Sequence, residues 1–350
     1  MRTLNGKRAG QMQATSQTAI LEEVQLTAKL IFDLISPELM LVEEEFERQA
    51  RSNIQVIAYI GDHLRRSGGK RVRPALTILS NYAVGGDGAN YSSIRMATVM
   101  EFLHTATLVH DDVIDKADTR RNRPSINSEF GNQTAVLMGD WLYMSAFETS
   151  LAERSLPILD ILTAVTRRMT EGELLQLTLL GRTDISEEQY FEVIARKTAY
   201  LFSACCEIGA LLGGADARTQ NLLRDYGMNL GIAFQLVDDL LDFTGNEEAL
   251  GKPAGADLLE GKISLPLIFL LQREPQRRAD VQRVIAEGNY KAVSRESLLN
   301  SLESSGALGL AQARAIEYAA AAGKALDGLQ DSPYAQALSA IPAYIIERDR

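Results

Sequence analysis

Apolar and polar positions follow a helical rather than a strand-like period along most of this chain. Residues 97–114, ATVMEFLHTATLVHDDVI, are apolar on nearly every side and lack two-residue alternation, which predicts a helix buried inside a bundle. Segments of the same kind occupy 135–151, 158–180, 187–212, 219–243 and 265–272, separated by clusters of Gly, Asp and Ser. Proline placement agrees: between Pro124 and Pro253 only Pro157 intervenes, and proline is the residue that most reliably breaks a helix. The C-terminal third is rich in alanine, as at 319–322, with Gly306 and Gly323 as the expected helix boundaries. No segment carries strand periodicity, so the expected fold class is all-α. No linker divides the chain, and residues 22–350 read as one helical domain. Residues 1–21 hold Arg2, Lys7 and Arg8 and no acid; they read as a disordered extension with a faint likeness to a targeting peptide.

Charge and composition narrow the function. The 46 acidic and 36 basic side chains leave a net charge of −10, which argues against a nucleic-acid partner, since binding phosphate backbones relies on Lys and Arg. With 46% hydrophobic residues the chain can bury a large core. Its two cysteines, Cys205 and Cys206, are adjacent, which fits neither a disulfide framework nor a zinc site and suggests a reducing, cytoplasmic setting. The densest apolar run, 265–271, is far too short to span a bilayer, so any membrane association would be peripheral.

Two acidic clusters stand out against this apolar background. Asp111, Asp112 and Asp115 lie on the buried helix, where a four-residue spacing sets Asp111 and Asp115 about 6 Å apart on one face. Asp238, Asp239 and Asp242 repeat the DDxxD spacing 127 residues later, LVHDDVID against QLVDDLLD. Buried carboxylates without partners cost several kcal/mol each, by order of magnitude, so they are protonated, paired or metal-bound. Oxygen-only donors select a hard cation, and Mg²⁺ characteristically takes one or two carboxylates and completes its shell with water and substrate phosphate. One DDxxD alone would more often be a solvated helix end; two in apolar helices favour a metal site. Cations for an anionic substrate are supplied by two loops, Gly68-Gly69-Lys70-Arg71-Val72-Arg73-Pro74 and Arg120-Arg121-Asn122-Arg123-Pro124. Arginine forks match phosphate oxygens, and acid-rich helices beside arginine-rich loops are what a metal-bridged diphosphate requires.

Together, GGKRVRP, HTATLVHDDVIDKADTRRNRP and FQLVDDLLDFTGNEEALGKPAGADLLEGK resemble the trans-isoprenyl diphosphate synthases, in particular the long-chain polyprenyl synthases of the octaprenyl and solanesyl type, over roughly residues 45 to 345. The resemblance implies antiparallel helices around a deep central cavity, a homodimer, and Mg²⁺-dependent condensation of isopentenyl diphosphate with an allylic diphosphate, farnesyl or geranylgeranyl, to a long chain for a quinone. It implies three Mg²⁺ ions with substrate bound. By position, Asp111, Asp115 and Asp238 resemble the metal ligands, with Asp112 supporting the first pair and Asp242 behind the second. Lys70, Arg73, His104 and Arg121 resemble the isopentenyl diphosphate site, and Arg120, Lys197, Thr198, Gln235, Lys252 and Lys262 the allylic diphosphate site. The family usually has Gly where this chain has Asn122. The growing tail is expected to run down the buried helix, with Ala106, five residues before Asp111, leaving it room where short-chain members carry an aromatic ring. Phe102, Val99, Phe147 and Leu162 are deeper candidates for a floor.

Other readings explain less. His110-Asp111 also suits an all-helical metal phosphohydrolase, but only His63 and His104 remain to help, and the second DDxxD goes unused. A terpene cyclase would not need Lys70, Arg73 and His104. A medium-chain geranylgeranyl or farnesyl diphosphate synthase would keep every motif, whereas a non-catalytic subunit of a heteromeric synthase would be expected to lose aspartates that are intact here.

Overall fold

The computed structural model describes residues 28–66, 69–120, 123–245 and 254–347. The expected 1–21 extension, Arg121 and Lys252 lie outside the described residues. The principal helices are α1 (Ser36–Gln49), α2 (Val72–Ala83), α3 (Tyr91–Ile114), α4 (Asn132–Leu151), α5 (Leu156–Leu179), α6 (Glu187–Ile194), α7 (Tyr200–Leu212), α8 (Ala217–Thr244), α9 (Leu265–Arg273), α10 (Ala307–Ala325) and α11 (Pro333–Glu347). The buried apolar residues of the described chain form one continuous cluster reaching from Ile31 to Ile345.

Local chemistry sets the ends of these helices. α3 begins at 91 rather than 97 because the Asn90 side chain accepts a hydrogen bond from Ser93 N at 2.8 Å, and α8 is capped in the same way by Asp216, which accepts from Thr219 N at 2.8 Å. Ser186 and Gln189 form a reciprocal capping box on α6. Gly306 stands at φ 74 before α10, as expected of a boundary, but Gly323 lies inside that helix, which continues to Ala325. The expected 187–212 helix is interrupted at Ala195–Ala199 by a π-helical turn. A two-residue antiparallel rung, Thr119–Arg120 on Arg123–Pro124, is the only strand pairing among the described residues. It is too short to produce any alternation in sequence.

α3 packs along α4, while α7 and α10 flank α8, and α2 lies against α7. Small residues let α8 approach closely. A β-carbon added at Gly231 would stand 2.5 Å from Ala199 Cα, and one at Gly227 would stand 2.6 Å from Phe202 O. This contact presses α8 onto the π turn and the start of α7, fixing the acidic end of α8 relative to Lys197 and Thr198.

Gly231→Val should therefore cost about 1–3 kcal/mol through overpacking, read as a lower urea midpoint at unchanged slope. An unchanged midpoint would show that the α8–α7 contact is not tight.

Candidate active site

A cavity of about 1770 Å³ opens among α3, α4, α5, α8, the π turn and the loop before α2. Its lining includes Lys70, Arg73, His104, Asp111, Asp115, Arg120, Lys197, Thr198, Gln235, Asp238 and Lys262. Residues from opposite ends of the sequence thus share one space, as the motif reading expects.

The first acidic cluster ends α3. Asp111 is largely buried, and burial, reinforced by Glu173 and opposed by Lys197, pushes its carboxyl up to about 7. Asp115 caps the helix and accepts from Lys262 Nζ at 2.9 Å; the same ammonium donates to Glu260 at 2.6 Å. Burial alone would lower the Lys262 pKa, but Asp115 and Glu260 outweigh it and hold it above the ordinary lysine value. Asp112 points away from the large cavity, is only 3% exposed, and accepts from Arg120 Nε and Nη2, both at 2.7 Å. Its place is behind Arg120, fixing that guanidinium at the cavity wall.

The second cluster ends α8. Asp238 lines the cavity, whereas Asp242 is 1% exposed and lies behind it. Asp239, which also lines the cavity, accepts from Tyr190 Oη at 2.6 Å and from Gln235 Nε2 at 2.9 Å; Thr198 in turn donates to Gln235 Oε1 at 2.8 Å. Burial and the nearby Asp257 push Asp239 up to about 7 despite these two donors. Lys197 bridges Glu173 at 2.9 Å and Gln176 at 3.0 Å on α5. The π turn that carries Lys197 and Thr198 lies tight against Gly172, where an added β-carbon would sit 2.7 Å from Arg196 Cβ.

At the start of α2, Lys70 Nζ reaches Tyr344 Oη at 3.5 Å, and the Arg73 guanidinium lies 4.9 Å from the centre of the Phe202 ring. His104 opens into the same cavity.

The donors fit a hard cation, being carboxylate oxygens near lysines and arginines. Among the described residues no three Asp, Glu, His or Cys side chains converge to hold a metal unaided. Mg²⁺ bound by Asp111, Asp115 or Asp238 would therefore depend on substrate oxygens and water for the rest of its shell.

The tail-wall expectation changes in detail. Ala106 is fully buried and does not line the cavity; nor do Phe102, Val99, Phe147 or Leu162. Five residues before Asp111 means a rotation of about 140° from its face, while Thr107 and Leu108, four and three residues before, stay near that face and do line the cavity. The far wall comes from Tyr143, Met144, Thr166, Met169 and Thr170. Glu173, Gln176 and Tyr190 were not singled out from sequence, and Asp239 was read only as a member of the second DDxxD. Glu173 and Gln176 had a signal, two polar residues three apart in GELLQL; Tyr190 had none, because its partner is 49 residues away.

A family model described as polyprenyl synthetase matches residues 54–302. The chain belongs to the polyprenyl synthetase family. It is 38% identical over 321 residues to the octaprenyl diphosphate synthase of Escherichia coli (strain K12), covering 91% of this chain and 98% of that one. A polyprenyl synthase from Caulobacter crescentus CB15, solved in complex with calcium and isoprenyl diphosphate, is 35% identical with a TM-score of 0.88, over 93% of this chain and 98% of that one. A decaprenyl diphosphate synthase from Rhodobacter capsulatus is 36% identical with a TM-score of 0.86, over 92% and 99%. Like other polyprenyl synthetases, this chain is a prenyltransferase with the all-α isoprenoid synthase fold.

Tyr190→Phe removes one of two donors to the buried Asp239 carboxylate and should cost about 1–3 kcal/mol in urea unfolding. Asp239→Asn in the same background should recover part of that loss by removing the charge. A Tyr190→Phe protein as stable as the parent would show that Asp239 does not depend on this bond.

Proposed function

We propose that this polyprenyl synthetase is an all-trans polyprenyl diphosphate synthase, extending farnesyl or geranylgeranyl diphosphate with successive isopentenyl units to a long chain for a quinone. The observation that carries this reading is the sharing of one cavity by Asp111, Asp115 and Asp238, three cations on the allylic side (Arg120, Lys197, Lys262) and the Lys70, Arg73 and His104 group. Asp111, Asp115 and Asp238 would hold Mg²⁺, three ions with substrate bound. When bound, Mg²⁺ supplies Lewis-acid stabilisation of the charge that develops on the departing diphosphate.

The side chains do the rest. Arg120, Lys197 and Lys262 grip the allylic diphosphate, with Arg120 held in place by Asp112. Lys70, Arg73 and His104 hold the isopentenyl diphosphate, so that its double bond is presented to the allylic carbon. The allylic carbon–oxygen bond ionises, the isopentenyl double bond attacks the cation, and a proton leaves for the departing diphosphate. No protein nucleophile takes part. Arg120, Lys197 and Lys262 are held on carboxylates before substrate arrives, which makes electrostatic stabilisation the main contribution of the protein.

Tail length is set along the wall of α3 and α4. Ala106 lies immediately behind the cavity residues Thr107 and Leu108. The relatives named above make products of different length at 38% and 36% identity, so overall similarity does not decide length here. Leu137 on α4 and Leu156 on α5, 68% and 73% exposed and outside the cavity lining, support a homodimer. No helix among the described residues is long and apolar enough to cross a membrane. The buried free thiols of Cys205 and Cys206 support a cytoplasmic enzyme, which would hand its apolar product to a membrane surface.

With Mg²⁺, farnesyl diphosphate and labelled isopentenyl diphosphate, the protein should give a ladder of products ending at one long chain, and Asp111→Ala should abolish it while the protein stays folded. Ala106→Tyr, whose ring has no room in the core and must push the Thr107–Leu108 wall inward, should shorten the longest product. Absence of elongation with every allylic starter refutes the synthase reading, and an unchanged ladder refutes the role of Ala106. Sedimentation should show two chains per particle, and Leu137→Arg should shift it to one; a parent protein that sediments as a monomer contradicts the dimer.

A further inference from the structure

Arg71 separates Lys70 from Val72 and Arg73 and stands in a conformation unusual for its residue type. Its φ of 48° lies in the left-handed region, which a side chain with a β-carbon seldom occupies unless its surroundings fix it. Those surroundings are explicit. The Arg71 side chain is 12% exposed and spans two helices that are distant in sequence. Its Nη1 donates to Glu101 on α3 at 2.7 Å; Nε and Nη2 form a fork to Glu43 on α1, the second of these bonds at 3.1 Å. The guanidinium carbon lies 5.9 Å from the centre of the Phe46 ring, which is itself stacked on Phe102 of α3. Glu101 is 5% exposed, lines the cavity beside Arg71, and precedes His104 by three residues, so it shares that face of α3.

We propose that Arg71 is a positioning residue for isopentenyl diphosphate: by clamping the loop before α2 to Glu43 and Glu101, it holds Lys70 and Arg73 on one side and His104 on the other at the spacing that a diphosphate requires. The clamp is rigid because a planar, bidentate guanidinium tied at both ends leaves the loop little rotational freedom. Arg71 does not itself bind the diphosphate, since all three of its guanidinium nitrogens are engaged with carboxylates. Both glutamates would also repel an approaching phosphate were they not neutralised by Arg71. This inference rests on the assignment of Lys70, Arg73 and His104 to isopentenyl diphosphate.

The test is steady-state kinetics with each substrate varied in turn, on the Mg²⁺-loaded full chain. Arg71→Ala should raise KM for isopentenyl diphosphate about tenfold and leave KM for farnesyl diphosphate within about twofold, and Arg71→Lys should recover only part of the loss. Glu43→Gln and Glu101→Gln discriminate by sign. A clamp predicts a higher KM for isopentenyl diphosphate in both, whereas a directly binding Arg71, freed of its partners, would lower it. If Arg71→Ala does not fold, the partly exposed Glu43→Gln decides alone. An unchanged or lower isopentenyl KM in the glutamine variants, or an equal rise for both substrates, overturns the clamp. Lys70→Ala separates the two levels: if it raises the isopentenyl KM while the Arg71 and glutamate variants do not, only the clamp fails, and if it leaves that KM unchanged, the site assignment fails and the clamp with it.

Discussion

Carboxylates inside apolar helices are the constraint around which this structure is organised. Removing a carboxylate from water costs several kcal/mol, by order of magnitude, unless a cation or hydrogen bonds compensate. α3 and α8 each deliver an aspartate cluster to the cavity, and cations and hydrogen-bond donors from other elements offset part of that charge. Lys262 reaches Asp115, Arg120 is held by Asp112, and Tyr190 with Gln235 serves Asp239. Where compensation is incomplete, as at Asp111, burial pushes the carboxyl up to about 7.

The same constraint explains why the helices pack as they do. The cations must arrive from separate parts of the chain, and small residues at the crossings allow it: Gly231 and Gly227 admit the start of α7, and Gly172 admits the π turn with Lys197. A π-helical turn is an uncommon way to continue a helix, and here it rotates Lys197 and Thr198 toward α5 and α8 without breaking the run from α6 to α7. Packing and chemistry are therefore joined at the same residues.

Much of this was legible in the sequence, for definable reasons. Helical period, proline spacing and apolar runs located the main helices, and the paired DDxxD motifs with the two basic loops pointed to residues that share the cavity, because both depend on short-range pattern. Features set by tertiary contacts were not legible. The Tyr190–Asp239 bond joins residues 49 apart, the Arg71 clamp joins α1 and α3, and the two-residue strand rung has no periodic signal. Ala106 shows the limit of counting along a helix: five residues also turn it about 140° from Asp111, so Thr107 and Leu108 line the cavity while Ala106 is buried outside that lining. Gly323 shows the limit of glycine as punctuation, since α10 runs through it.

In the proposed reading, both acidic clusters engage one diphosphate through Mg²⁺. Calorimetric titration of a non-ionisable thiolo analogue of farnesyl diphosphate, with and without Mg²⁺, tests it most directly in the parent protein, Asp111→Asn and Asp238→Asn. Binding should be tight, require Mg²⁺ and be lost in both variants. Equally tight binding without the metal, or binding that survives loss of either aspartate, would contradict it.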